Sequence, residues 1–407
     1  MSTSPTTVNV AIIGAGLMGR EIAAAIQRWP ALIDHPVRPR LTAVCDINPA
    51  ALDWFEEIDT VVTKFTDYAE LLSDPTIDVV YVAVRHDLHE RIYTDVINAG
   101  KSLLAEKPFG IDETAALAIL AAVEAHPESF VRCSSEMPFF PGAQMAINYV
   151  RSGALGTIVE ARNSFLHASD VDVTKPIGWK RQNKFCGEAG VLNDLGLHTW
   201  HAPLRLGWEP ETVYGVLQNI VTQRPGPDGG LVDCDTWDNA VLHSWAHHEG
   251  VRFPLTTETK RIDPGQKNTW VFEAIGLDGG VRFSTKNPKT VEIFAVTEVP
   301  GGGKEQVWQQ IDAGSQSVWP TVTGPNFEFG FSDSILQMWA MYLAEREGLL
   351  GDRFGCVTPD EAAAAHAIYR AGIQSDTNGA AVAPFIARNR YASVDDGSFK
   401  VVRIREA

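Results

Sequence analysis

Three residue types at two places in this chain could hold a reacting oxygen's charge and move its proton. The first place is Ala105-Glu106-Lys107-Pro108, which follows a short apolar run of the buried-strand type. A lysine at the C-terminal end of a parallel strand points a cation into the cleft where such sheets bind ligands. The second is Asp194-x-Gly196-x-His198, within a helix predicted over 193–205. Spacing of four residues puts Asp194 and His198 on one helical face. A carboxylate beside an imidazole would fix its tautomer and raise its basicity, which suits a general base acting on an alcohol. His201 shares that face, but no further ligand with diagnostic spacing follows, so no metal is expected.

A ligand for that cleft is written at the N-terminus. The apolar run Val8–Ile13 leads into Gly14-Ala15-Gly16-Leu17-Met18-Gly19, then into a helical run ending near Trp29. A second apolar run, Leu41–Cys45, ends on Asp46. Strand, glycine loop, helix, strand and terminal acid together form a dinucleotide fingerprint. Gly14 permits the turn, Gly16 lets backbone approach a diphosphate, and Gly19 lets helix and strand pack. The helix N-terminus offers free N–H groups to the phosphates. Asp46 would accept from both adenosine ribose hydroxyls and repel a 2′-phosphate, and no cation follows it. NAD is therefore expected in preference to NADP.

Positioning these groups takes two kinds of architecture. Up to about residue 133, apolar runs alternate with helical ones: strands at 8–13, 41–45, 78–84, 102–105 and 130–133, with helices at 17–29, 49–57, 68–72, 88–99 and 113–125. That alternation predicts an α/β Rossmann domain with a parallel sheet over 1–133. Beyond it come long β-rich runs at 157–167, 212–222, 236–246, 251–259, 269–276, 280–284 and 291–296, separated by turn signals such as Asp278-Gly279-Gly280. Helices return at 334–347 and 359–373. The expectation for 134–407 is a substrate-binding and oligomerisation domain of α+β type, with an open, mainly antiparallel sheet.

Composition excludes several classes. The net charge of −17 over 407 residues makes nucleic acid and anionic membranes improbable partners. Five cysteines (45, 133, 186, 234 and 356) are scattered without a CxxC pair, as expected of reduced thiols in the cytoplasm. Met1–Thr7 is polar, without the features of a signal peptide, and no run reaches transmembrane length.

The Gly14-x-Gly16-x-x-Gly19 loop, Asp46, Glu106-Lys107-Pro108, Ser152-Gly153-Ala154-Leu155-Gly156 and Asp194-x-Gly196-x-His198 occur in the order seen in the Gfo/Idh/MocA oxidoreductases. The chain resembles that family from about residue 8 to about 380. The resemblance implies two domains with the active site between them. Lys107 would hold the reacting oxygen, His198 would move the proton, Asp194 would orient His198, and hydride would pass to or from the nicotinamide C4. Glu106, Arg85 and His89 would lie along the cofactor. It also implies a homodimer or homotetramer joined through the second sheet. Departures exist: the usual three glycines before the aspartate read Glu188-Ala189-Gly190, and a usual Thr-Pro-Asn reads Val84-Arg85-His86.

The segment 175–184 carries Lys175, Lys180, Arg181 and Lys184 with no acid, just before the helix of Asp194. In the family that segment faces the substrate, so Trp179, Lys180, Arg181 and Lys184 are candidate substrate ligands, with an anionic group as one reading and a solvated loop as the other. Trp179, Trp200 and Trp237 could offer flat faces to a sugar ring. The functional expectation is hydride transfer between NAD and a ring hydroxyl of a sugar, sugar derivative or cyclitol. The alternative is a redox-neutral, NAD-dependent glycosidase, for which an anionic glycoside such as a sulfoquinovoside would be a substrate, with Glu136, Glu188 or His201 as its extra acid/base.

Overall fold

The computed structural model describes residues 5–314, 317–386, 389–393 and 399–403. Strands β1 (Thr6–Ile13), β2 (Val37–Cys45), β3 (Thr63–Phe65), β4 (Val79–Val82), β5 (Ser102–Ala105) and β6 (Val131–Cys133) form one sheet in the order β3-β2-β1-β4-β5-β6. All pairings in it are parallel. The crossovers carry helices α1 (Leu17–Gln27), α2 (Tyr68–Leu72), α3 (His89–Asn98) and α4 (Glu113–Ala125). Buried on both faces, β4 and β5 are apolar almost throughout, which is why they read as continuous runs rather than alternating ones. The order reverses between β1 and β4, and a ligand cleft opens beyond the strand ends at such a point. The segment 49–57, expected as an α-helix, is a 3₁₀ helix started by Pro49 and capped by Asn48.

Helix α5 (Pro141–Arg151), absent from the sequence expectation, links this sheet to a second one. There follow β7 (Ile158–Leu166), the short α6 (Asn183–Cys186), α7 (Val191–Arg205), β8 (Glu209–Gln218), the small ladder of β9 (Gln223–Pro225) and β10 (Leu231–Asp233), then β11 (Asn239–His248), β12 (Val251–Lys260), β13 (Thr269–Gly276), β14 (Gly279–Ser284), β15 (Thr290–Glu298) and β16 (Lys304–Asp312). Eight of these form a sheet in the order β16-β15-β14-β13-β7-β12-β11-β8. Only β7 and β12 pair in parallel among its described strands, so the sheet is mixed and mostly antiparallel. Strands β8, β11 and β12 alternate buried and exposed positions, as one-sided strands must. The inner face of the sheet is covered by α9 (Pro359–Asn378), which follows α8 (Phe331–Arg346), over β8, by α7 over β7, β11 and β12, and by α5 over β13, β14 and β15.

The last two helices return to the first sheet. Helix α8 packs on α1, and α9 packs on α4 and α7. Helix α7 is thus enclosed on all sides, with thirteen of its fifteen residues buried. The glycine in Asp194-x-Gly196-x-His198 allows that enclosure: a Cβ at Gly196 would stand 2.7 Å from the Tyr369 ring of α9.

Candidate active site

Gly14 takes φ +104°, and a Cβ there would lie 2.2 Å from the Ala83 carbonyl oxygen, so no other residue fits this turn between β1 and β4. At Gly16 the space around a Cβ is open, which leaves a cradle over the backbone. Helix α1 starts at Leu17 with no side-chain cap, so the N–H groups of its first turn are free for an anion. The Asp46 carboxylate is fixed at the end of β2 by Ala15 N–H (2.8 Å) and Asn48 N–H (2.9 Å). Leu17 is 75% exposed and Ile47 is 88% exposed. Two bare aliphatic side chains flanking a free helix N-terminus and an acid fit an adenosine diphosphate moiety, which would cover them. The glycine loop and Asp46 were legible in the sequence; Ile47 was not.

At the other end of the cleft, Lys107 and α7 meet. The Lys107 ammonium donates to the Asp194 carbonyl oxygen (2.6 Å) and to Asp194 Oδ1 (2.9 Å). Lys180 donates to the same Oδ1 (2.6 Å), and Arg261, just past β12, donates from Nε to Oδ2 (3.2 Å). Burial alone would raise the Asp194 carboxyl, but Lys107, Lys180 and Arg261 reverse that and hold it well below the usual carboxylate range. Burial would likewise lower Lys107, but Asp194 and Glu106 outweigh it and keep the ammonium charged. Arg261 is anchored in turn by the carbonyls of Lys180 and Gly190. No sequence signal marks Arg261, which reaches Asp194 across sixty-seven residues of chain.

His198 lies one turn along α7, on the same face as Asp194, but the expected pairing between them is absent. The Asp194 carboxylate is held by the three cations. His198 Nδ1 instead lies 3.1 Å from Ser135 Oγ and 3.9 Å from Glu136 Oε2, both on the loop after β6. Its ring packs edge-on against Phe165, and its carbonyl accepts from Trp270 Nε1. Burial, then Lys107, holds His198 well below the usual imidazole range, so it is neutral at pH 7. His167, after β7, completes the cluster, and burial pushes it down to about 4.

The remaining candidates divide. Trp179 meets His86 edge-on at 4.7 Å, closing the 168–182 loop against the end of β4. Arg85 bonds Asp87 and lies 4.2 Å over the Phe185 ring, so it bridges the same gap. His89 is fully buried between the carbonyls of Pro108 (2.7 Å) and Val84 (3.0 Å), where it braces the Lys107 loop rather than lining the cleft. The Glu106 carboxylate is buried and taken up by Tyr81 and Ser134 (2.6 Å each) and by Lys107 N–H, a structural role in place of the expected cofactor contact. Of the four cations in 175–184, only Lys180 reaches the cluster. Arg181 is 2% exposed and paired with Asp238. Lys175 meets Asp170 at 3.4 Å, and Lys184 sits over Phe185. Trp200 and His201 face inward: Trp200 is wholly buried, and His201 packs on Phe139 and Phe354 and is pushed down to about 3 by burial. Glu188 is exposed on the turn before α7. Among the described residues, no group of three or more histidine, cysteine or acidic side chains could hold a metal ion.

The family model of Gfo/Idh/MocA oxidoreductases with an NAD-binding Rossmann fold matches residues 8–131. The model of the Gfo/Idh/MocA C-terminal domain matches residues 143–259. The chain belongs to this family and is an NAD-dependent oxidoreductase. Among curated relatives, levoglucosan dehydrogenase of Pseudarthrobacter phenanthrenivorans is 24% identical over 371 residues, spanning 84% of this chain and 90% of the relative. Trans-1,2-dihydrobenzene-1,2-diol dehydrogenase of Macaca fascicularis is 27% identical over 188 residues, 46% of this chain and 52% of that one. The solved structure of levoglucosan dehydrogenase in complex with NADH superposes with a TM-score of 0.79 at 22% identity, covering 93% of this chain and all of that one. An oxidoreductase domain protein from Kribbella flavida gives 0.82 at 23% identity with the same coverage. These superpositions establish a shared fold.

Proposed function

We propose that the chain oxidises a ring hydroxyl of a sugar, sugar derivative or cyclitol, with NAD as the hydride acceptor. The observation that carries this is the convergence of Lys107 and His198 beside one cleft: an ammonium fixed by Asp194, and a neutral imidazole whose Nδ1 is occupied by Ser135. NAD would be held by the Gly14–Gly19 loop with Leu17 and Met18, and by Asp46; it supplies the nicotinamide that accepts hydride. Lys107 would donate to the substrate oxygen and stabilise alkoxide character. His198 would take the hydroxyl proton at Nε2, the nitrogen without a hydrogen-bond partner among the described residues. Asp194 keeps Lys107 charged and aimed, rather than orienting His198. Lys180 and Trp179 would line the substrate side. The names of the relatives favour a net dehydrogenase over the glycosidase reading. The test is NADH accumulation with levoglucosan, inositol and glucose, using Lys107→Ala and His198→Ala as controls. Both variants should bind NAD and lose about two or more orders of magnitude in kcat. Normal turnover by His198→Ala would remove the base assignment.

We also infer a homodimer or homotetramer joined through the outer face of the eight-stranded sheet. Tyr214, Val216 and Trp245 are each more than 40% exposed there, and the described helices lie on the other face. The five cysteines are all free and buried, which supports a reducing compartment, the cytoplasm. Among the described residues, no helix is long and apolar enough to cross a membrane.

A further inference from the structure

Two carboxylates lie buried behind the active site, and they are unlike. Glu106 accepts hydrogen bonds from three donors, the Tyr81 and Ser134 hydroxyls and Lys107 N–H. Glu136 is 5% exposed, and its carboxylate lies 3.9 Å from His198 Nδ1, within reach of an ion pair once that ring is protonated. The hydroxyl of the preceding Ser135 contacts the same ring nitrogen at 3.1 Å. The loop after β6 therefore presents a hydroxyl and a carboxylate, in sequence, to the Nδ1 side of the imidazole.

We propose that Glu136 is the positioning carboxylate of His198, filling the role that helical spacing suggests for Asp194, with Ser135 fixing the ring. This rests on His198 being the base. In oxidation the hydroxyl proton would go to His198 Nε2 and the two electrons would leave the carbon as hydride to bound NAD, so that the alcohol becomes a carbonyl. Ionised Glu136 balances the charge of the imidazolium so formed, and Nδ1–H donates to Ser135 Oγ. A neutral Glu136 cannot do this. The groups facing Glu136 set its ionisation: Glu106 and Lys107 after β5, Tyr81 on β4 and His198 on α7. Burial, then Glu106, pushes its carboxyl up to about 7. Oxidation should therefore slow as pH falls through about 7, with the pair titrating as a unit.

The experiment compares Glu136→Gln, Glu136→Asp, Ser135→Ala and His198→Ala with levoglucosan as the probe substrate. Glu136→Gln should lower kcat about tenfold or more, leave KM and NADH binding unchanged, and abolish the kinetic ionisation near 7; Glu136→Asp should restore part of both. Loss of activity in His198→Ala together with an unaltered kcat–pH profile in Glu136→Gln would overturn this inference alone. Full activity in His198→Ala would instead overturn the base assignment beneath it. A second readout needs neither substrate nor variant folding: the ¹⁵N resonances of the His198 ring in the wild-type protein. They should shift between about pH 6 and 8 as Glu136 ionises, and constant resonances across that range would also overturn the proposal.

Discussion

At the scale of single residues, the cation-rich segment before α7 separates into residues that serve the cleft and residues that serve the fold. Lys180 shares Asp194 Oδ1 with Lys107, whereas Arg181 is buried against Asp238, whose other oxygen accepts from the Ile220 and Val221 N–H groups. The segment 175–184 shows four cations and no acid, and it cannot show that Asp170, just upstream, and Asp238, from far along the chain, neutralise two of them. Removing one partner of a buried ion pair costs about 3–5 kcal/mol. Arg181→Ala should therefore lower the melting temperature while leaving the ratio of kcat/KM for anionic and neutral sugars unchanged. Lys180→Ala should keep the melting temperature and reduce kcat/KM about tenfold or more, as loss of a charge-assisted contact does. Calorimetry and kinetics on the two variants check this; a changed charge preference in Arg181→Ala would return that residue to the substrate site.

Among elements, those with strong local signals were legible. The β1–loop–α1 unit and Asp46 are specified within a single stretch of chain, and α7 follows from its apolar sequence and its polar motif. What lay beyond the sequence is what distant elements bring to α7: Arg261 from the end of β12, and Ser135 and Glu136 from the end of β6. Helical spacing correctly put Asp194 and His198 on one face but could not say which partner each would take. Strand β16 was missed for another reason. Its residues are exposed almost throughout, so Lys304–Asp312 carries no alternating apolar pattern to read. The outer face of its sheet makes its own prediction. Thr212, Trp245 and Pro254 stand side by side across β8, β11 and β12, as do Tyr214, His243 and Thr256. If this face joins subunits, Trp245→Arg or Tyr214→Arg should shift the protein to a smaller species by light scattering at micromolar concentration. A wild-type monomer would contradict it.

Over the whole molecule, burial has left seven of the eleven histidines harder to protonate than in the unfolded chain: His35, His86, His89, His167, His198, His201 and His366. In each case burial is the first cause. Between the unfolded value of about 6.5 and the lowered folded values, the unfolded chain binds more protons, so stability is present above 6.5 and is lost as pH falls. Glu136, Glu113 and Asp360, raised by burial, act in the opposite sense as pH rises above their unfolded values. Each fully coupled group changes stability by up to about 1.4 kcal/mol per pH unit. Seven against three predicts a melting temperature that drops steeply from pH 6.5 to pH 5. A flat melting temperature over that interval, followed by calorimetry, would contradict the neutral, buried state assigned to these rings, His198 included.

On this reading Lys107 and His198 serve a net hydride transfer from a ring carbon to NAD. The most direct measurement is a single turnover of the protein with NAD and levoglucosan deuterated at each ring carbon in turn, followed by mass analysis of the nicotinamide and the sugar. Deuterium from one carbon should appear in released NADH, one equivalent of keto-sugar should form, and His198→Ala should block both while still binding NAD. Consumption of the sugar with its deuterium retained and no NADH released would contradict it.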